Sequence, residues 1–249
     1  MSAEAFEGIV VGLVRVGDAH LIVRIMTDTH GVRTVMARGA RSSKRRFGGC
    51  LEIGTELRVE VVKGKGDLPL LRTVNAIRSP MKAREELGRI AYLSYVCELV
   101  PALSSENTQT QKLYRLLQSF LSVLEQESAP VMATRIALEA KALTFAGLCP
   151  RLTGCACCGE PLENPVQFSA TAGGVVHSRC GTGEPTTVKD VYSIEDLRRT
   201  PLAQTTTMSC PAKNQMTLSR FVEFQIARPL KSLAWVGEVE LLEHRQEKT

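Results

Sequence analysis

The sequence predicts a multidomain α+β protein: a small β-barrel at the N-terminus, then a helical domain interrupted by a cysteine-rich insertion. Three observations predict it. Val/Ile-rich runs separated by Gly-rich turns fill residues 1–79. From residue 80 the apolar spacing changes to three and four, the period of a helix. Between about 149 and 185 that pattern is broken by Gly, Pro, Thr and clustered cysteines.

The strands come first. "GIVVGLVRVG" and "HLIVRIMT" read as two, "DTHG" at 28–31 as a turn and "VRTVMA" as a third. "LEIGTELRVEVV" gives a fourth, "KGKGD" a turn and "LPLLRTVNAI" a fifth. Leu21, Val23 and Ile25 alternate imperfectly with Ile22, Arg24 and Met26, as expected of a closed barrel wall. Five short strands fit a small barrel such as the OB-fold, and an SH3-like barrel gives nearly the same string.

Ser79-Pro80 then suggests a helix start, with Ser as cap and Pro at the first helical position. The stripe Leu87, Ile90, Ala91, Ser94, Val96, Cys97 and Val100 follows, and Pro101 closes or kinks it. A second helix fits Leu113, Leu116, Leu117, Phe120, Leu121 and Leu124. A third runs from Pro130 to Phe145, with Gly147 at a left-handed cap. Short connections predict an antiparallel bundle of the three. Beyond the insertion, "SIED" at 193–196 reads as a capping box, and Leu218, Phe221, Val222 and Ile226 form a last stripe before Pro229.

Composition sets bounds on the chemistry. Hydrophobic residues make up 44% and charged residues 23% of the 249, which argues against a largely disordered chain. No apolar run of about 18 residues occurs. No basic leader precedes the apolar stretch of "MSAEAFEGIVVGLVRVG", so a cytoplasmic chain is expected. Charge is unevenly divided: residues 1–79 carry 13 Lys/Arg against 8 Asp/Glu, which accounts for the whole net charge of +5. Such asymmetry suggests a polyanion partner for the barrel, the alternative being a merely soluble basic face.

The cysteines point to metal. Four of the eight fall within residues 149–158 and the others scatter, unlike a disulfide framework. Cys155 and Cys158 form a C-x2-C knuckle followed by Gly159, and His177 and Cys180 repeat the spacing in "GGVVHSRCG". Tetrahedral Zn2+ is normally held by two such pairs, and imidazole substitutes soundly for thiolate. Cys157 is read as a spectator and Cys149 as a rival ligand, while Cys97 and Cys50 read as core. Four candidate ligands close the shell, whereas a catalytic zinc keeps a position open. A structural Zn2+ is therefore expected. A zinc-dependent hydrolase or deaminase acting on nucleic acid is the alternative. A redox pair is disfavoured because Gly159-Glu160-Pro161 follows the C-x-x-C where a redox motif opens a helix.

"RGARSSKRRF" sets Arg38, Arg41, Lys44, Arg45 and Arg46 between two strands, where they can follow a phosphate backbone in a salt-dependent way. Lys63 and Lys65 in "VVKGKGD" can join the same face, and that turn lacks the form of a Walker phosphate loop. Phe47 reads first as a core residue, with base stacking as the alternative. "RPLKSL" at 228–233 is read as a helix stop.

The segments "VMARGARSSKRRFGGCLEIGTELRVEV", "GKGDLPLL", "LTFAGLCPRLTGCACCGEPL", "GGVVHSRCG" and "FVEFQIARPLKSL", taken in order, resemble the RecO family of bacterial recombination mediators. The likeness spans essentially the whole chain. It implies an OB-fold barrel at 1–79, a helical domain at 80–249 and a zinc-binding segment at about 149–185. It implies no enzymatic activity, no membrane and no small-molecule substrate. The implied role is binding of single- and double-stranded DNA, annealing of complementary strands and association with a RecR-like protein. Engagement of the single-stranded-DNA-binding protein then lets recombinase load, in the bacterial cytoplasm at the nucleoid. One departure stands out: family members typically carry a second C-x2-C, and here its first position is His177.

Overall fold

The computed structural model describes residues 3–42, 47, 49–64, 66–104, 110–128, 131–210 and 212–246. Its contacts divide it into two compact units, Met1–Glu125 and Gln126–Thr249.

In the first unit β1 (Ala3–Val16), β2 (His20–Thr27), β3 (Gly31–Ala37), β4 (Glu56–Val62) and β5 (Leu70–Arg78) form a closed barrel in the order β1-β2-β3-β5-β4. Antiparallel pairing of β1 with β4 closes the wall, and β3 meets β5 in parallel at Met36 and Leu70. Period-two residues fill the inside: Val23 and Ile25, Val35 and Ala37, and Leu57, Val59 and Val61 are all buried in one cluster. Phe47 joins that cluster at 4% exposure, so it is core and not a base-stacking platform.

The imperfect alternation has a physical cause. Ile9 and Met26 pair across β1 and β2 on the face opposite Val10 and Ile25, yet both are fully buried. On that face α1 (Leu87–Ala102) packs on β1 and α2 (Thr110–Leu124) packs on β2. The division expected at residues 79 and 80 marks the change from strand to helix, and the compact unit continues to Glu125 through these helices. The expected start at Pro80 is corrected. A short 3-10 turn, Lys82–Arg84, intervenes, held by the Glu125 carboxylate, which accepts from the Ala83 N–H at 3.0 Å. Pro101 lies inside α1, one residue before its end, where its missing N–H leaves the Cys97 carbonyl without its helical donor and the helix stops within a turn.

The second unit centres on α3 (Met132–Phe145), which packs against α4 (Val188–Arg199) and α5 (Ala212–Ile226). The expected three-helix bundle is thus replaced: α1 pairs with α2, and α3 with α4 and α5. α3 ends in a Schellman motif, with Gly147 at φ 76°, the Gly147 N–H on the Thr144 carbonyl and the Leu148 N–H on the Leu143 carbonyl. α4 starts earlier than expected. Thr187 caps it, its Oγ1 accepting from the Asp190 N–H at 3.2 Å, so Ser193 of "SIED" lies within the helix. Beyond Pro229, where a stop was expected, the chain forms another helix, α6 (Lys231–Gln246).

α3 is buried on nearly every side, Ala133 to Ala140 being buried without a break, and it carries two charges there. The guanidinium of Arg135 donates to both carboxylate oxygens of Glu240 on α6, at 2.9 and 3.0 Å. It also donates to Glu139 Oε1 and Ser219 Oγ, both at 2.7 Å, and Ser219 donates in turn to Glu139 at 3.0 Å. Arg135 and Glu139 are fully buried, and the group ties α3, α5 and α6 together.

Candidate functional site

Between α3 and α4 the chain forms a three-stranded sheet of β6 (Val166–Ser169), β7 (Gly174–His177) and β8 (Glu184–Thr186), in the order β7-β6-β8. Both cysteine knuckles hang on β7. Arg151 bridges in parallel to Gly174, with the Arg151 N–H on the Gly173 carbonyl at 2.9 Å and the Val175 N–H on the Arg151 carbonyl at 3.0 Å. The Ala156 N–H then bonds the Val175 carbonyl at 2.7 Å, which lays the first knuckle along the strand. Gly159, at φ 81°, turns the knuckle back, its N–H on the Cys155 carbonyl at 3.0 Å. The second knuckle begins at the last residue of β7, where the Cys180 N–H bonds the His177 carbonyl at 2.8 Å.

The result is one cluster. The Sγ atoms of Cys155, Cys158 and Cys180 and a ring nitrogen of His177 all lie within 4.8 Å of one another. His177 Nδ1 is 3.5 Å from Cys158 Sγ and 3.9 Å from Cys180 Sγ. Zinc bonds of about 2.3 Å to sulfur and about 2.0–2.1 Å to nitrogen put neighbouring ligands of a tetrahedron roughly 3.6–3.8 Å apart, so the donor set fits a tetrahedral ion. Cys155 and His177 are buried. Burial acts to raise the Cys155 thiol, but N–H groups of Cys158, His177 and Cys157 together with the Cys158 side chain outweigh it and bring it down to about 6. Burial raises the Cys180 thiol, and hydrogen bonds with Cys158 and Cys155 push the same way. Cys157 and Cys149 are exposed and stand outside the cluster. Cys97 is deep in α1, where burial pushes its thiol up to about 12.

Gly174 sets the spacing of the knuckles. A Cβ there would lie 2.6 Å from the Arg151 backbone nitrogen and closer still to its carbonyl oxygen. Gly174→Ala is expected to force Arg151 off β7, cost about 1–3 kcal/mol and weaken metal retention, read as a lower urea midpoint and a lower metal content per chain.

The basic residues divide. Arg38 and Arg41 are exposed in the loop after β3. That loop is fastened to the β1–β2 turn by the Arg41 N–H on the Ala19 carbonyl at 3.0 Å and by the Arg41 guanidinium on the Asp18 carbonyl at 3.1 Å. The Gly39 N–H on His20 Nδ1, at 3.0 Å, adds to it. Lys63 is exposed at the end of β4. Lys44, Arg45, Arg46 and Lys65 lie outside the described residues.

Sequence reasoning missed two cations. Arg15, near the end of β1 beside the same turn, and Arg24, on the outer face of β2, are exposed and make no ion pair among the described residues. The stem of Arg24 lies over Gly12, where a Cβ would stand 3.3 Å from its Cδ. Three other barrel arginines are neutralised: Arg33 by Glu4, Arg58 by Glu7 and Arg72 by Glu60. Arg58 is neutralised by its cross-strand neighbour Glu7, whereas Arg33 and Glu4 meet from strands that do not pair, and a linear sequence displays neither relation.

Barrel, helices and a Cys/His cluster on a small sheet define a two-unit barrel-and-helix protein whose second unit carries a donor set able to hold a metal ion. The family model described as Recombination protein O N terminal matches residues 1–80, and that described as Recombination protein O C terminal matches residues 84–234. A curated DNA repair protein RecO from Anaeromyxobacter dehalogenans (strain 2CP-C) is 35% identical over 93% of this chain and 95% of its own. The one from Myxococcus xanthus (strain DK1622) is 32% identical over 94% and 97%, and that of Pelobacter propionicus 31% over 96% and 98%. The chain belongs to the RecO family of DNA repair and recombination proteins.

Among the described residues, no helix is long and apolar enough to cross a membrane.

Proposed function

We propose that this chain is a DNA-binding recombination mediator without catalytic turnover of its own. The barrel, residues 1–79, is read as an OB-fold, which its closed five-stranded order supports. It binds and anneals single-stranded DNA and also binds duplex, with Arg38, Arg41, Lys44, Arg45, Arg46, Lys63 and Lys65 on the phosphates and Arg15 and Arg24 extending that set. Residues 80–249, with the insertion at about 149–185, offer surfaces to a RecR-like protein and to the single-stranded-DNA-binding protein, so that recombinase loads on coated DNA. The setting is the bacterial cytoplasm, at the nucleoid during repair.

Cys155, Cys158, His177 and Cys180 hold Zn2+ as a structural ion, whose chemistry is to bind two knuckles into one fold. Four donors from the protein fill a tetrahedral shell. This disfavours the alternative of a zinc-dependent nucleic-acid hydrolase or deaminase, which needs an open position.

The observation that carries the DNA reading is the segregation of charge: acidic partners neutralise Arg33, Arg58 and Arg72, while Arg15 and Arg24 have none among the described residues. Each phosphate contact on a single strand contributes roughly 0.7 to the slope of log affinity against log salt. Arg15→Gln, Lys44→Gln and Arg45→Gln combined should make that slope shallower by about 2 and weaken binding similarly across sequences. An unchanged slope removes these cations from the interface.

A further inference from the structure

The proposed zinc reading assigns His177 as a ligand without saying which of its nitrogens binds. The surroundings of the ring decide. His177 Nε2 lies 2.9 Å from the carbonyl oxygen of Pro161. A carbonyl oxygen only accepts, so the hydrogen of that bond belongs to Nε2. A neutral imidazole has one donor nitrogen and one acceptor, which leaves the lone pair on Nδ1. Nδ1 is the nitrogen that faces Cys158 Sγ at 3.5 Å and Cys180 Sγ at 3.9 Å.

We propose that His177 binds the metal through Nδ1, and that the Pro161 carbonyl is the positioning group that selects this tautomer. The arrangement follows from where Pro161 stands. The Cys155 N–H bonds the carbonyl of Glu160 at 2.9 Å, which fixes the chain leaving the first knuckle. The next residue, Pro161, with its φ held by the ring, then presents its carbonyl to the histidine of the second knuckle. The exit of one knuckle thereby orients a ligand of the other by a bond that needs no metal. A cysteine at position 177, bound to metal as the thiolate, has no hydrogen to give that carbonyl, so the histidine is part of a matched pair with the 160–161 segment. Outer-shell bonds of this kind fix ring orientation and raise ligand basicity.

The test is spectroscopic and independent of DNA binding. The full chain, labelled with 15N-histidine, is loaded with Zn2+ and separately with 113Cd2+, metal content is measured, and long-range 1H–15N correlations assign the tautomer of His177. The expected result is one ion per chain, a protonated Nε2, and 113Cd coupling to Nδ1. His177→Ala should bind Cd2+ more weakly and lack that coupling. Coupling to Nε2, with the proton on Nδ1, overturns the inference while leaving the zinc reading intact. A loaded chain in which neither nitrogen couples removes His177 from the shell. Failure to bind either metal overturns the zinc reading and this inference together.

Discussion

Arg135→Ala should lower the stability of the second unit by about 3–5 kcal/mol, against a total of about 5–15 kcal/mol for an ordinary domain. Arg135 is fully buried and donates to Glu240, Glu139 and Ser219. Its removal leaves two carboxylates in the interior of the unit without their cation, and a buried charge that loses its partner costs more than the pair contributed. The check is urea unfolding followed by a probe in residues 126–249, with a lower midpoint at an unchanged slope. Replacing all three charges together, Arg135→Met, Glu139→Leu and Glu240→Leu, should recover most of the loss, since apolar side chains of similar volume often substitute for a buried ionic group. A single variant that costs less than about 1 kcal/mol would show that the network adds no more than a surface pair does.

Metal removal should have the second large effect. In isolated zinc fingers the ion supplies about 10–16 kcal/mol of apparent folding free energy. The segment here also has a sheet with buried Val166, Phe168, Val175 and Val176, so the loss should be smaller and confined to the sheet and its knuckles. Chelation, or Cys155→Ser at a fully buried ligand, should release the ion, free the ligand thiols for titration (three after chelation, two in the variant) and raise amide exchange across residues 151–186. The barrel's exchange and its salt-dependent DNA binding should persist. Retention of full protection after the ion has left would argue against a structural site. Loss of a nucleic-acid-cleaving or deaminating turnover with the fold intact would favour the enzymatic alternative.

Local features of the molecule were legible in the sequence and long-range ones were not. Both knuckles could be read because each pair of ligands lies three residues apart and Gly159 allows the turn at the first. The barrel strands showed their period of two and their glycine turns. The start of α1 was misread because Pro80 resembles a first helical residue, whereas the Glu125 carboxylate, 45 positions on from it, organises a 3-10 turn there. "TVKD" and "SIED" are both plausible caps for α4, and only the tertiary arrangement chose Thr187. Arg135 and Glu139 have the i,i+4 spacing of an exposed helix pair, and their burial depends on α5 and α6 arriving from some 80 to 105 residues away. α6 was missed because Pro229 reads as a stop.

Helix α5 joins two of these features. Ser219 lies in the Arg135 network, and two residues later Phe221 packs edge-on against Phe168 of β6, ring centres 5.5 Å apart. The ionic tie and the sheet that carries the Cys/His cluster therefore share one short stretch of helix, and injuries to the two should compound rather than add. On the zinc reading proposed above, loss of the ion should therefore open this stretch of α5 to proteases along with the sheet.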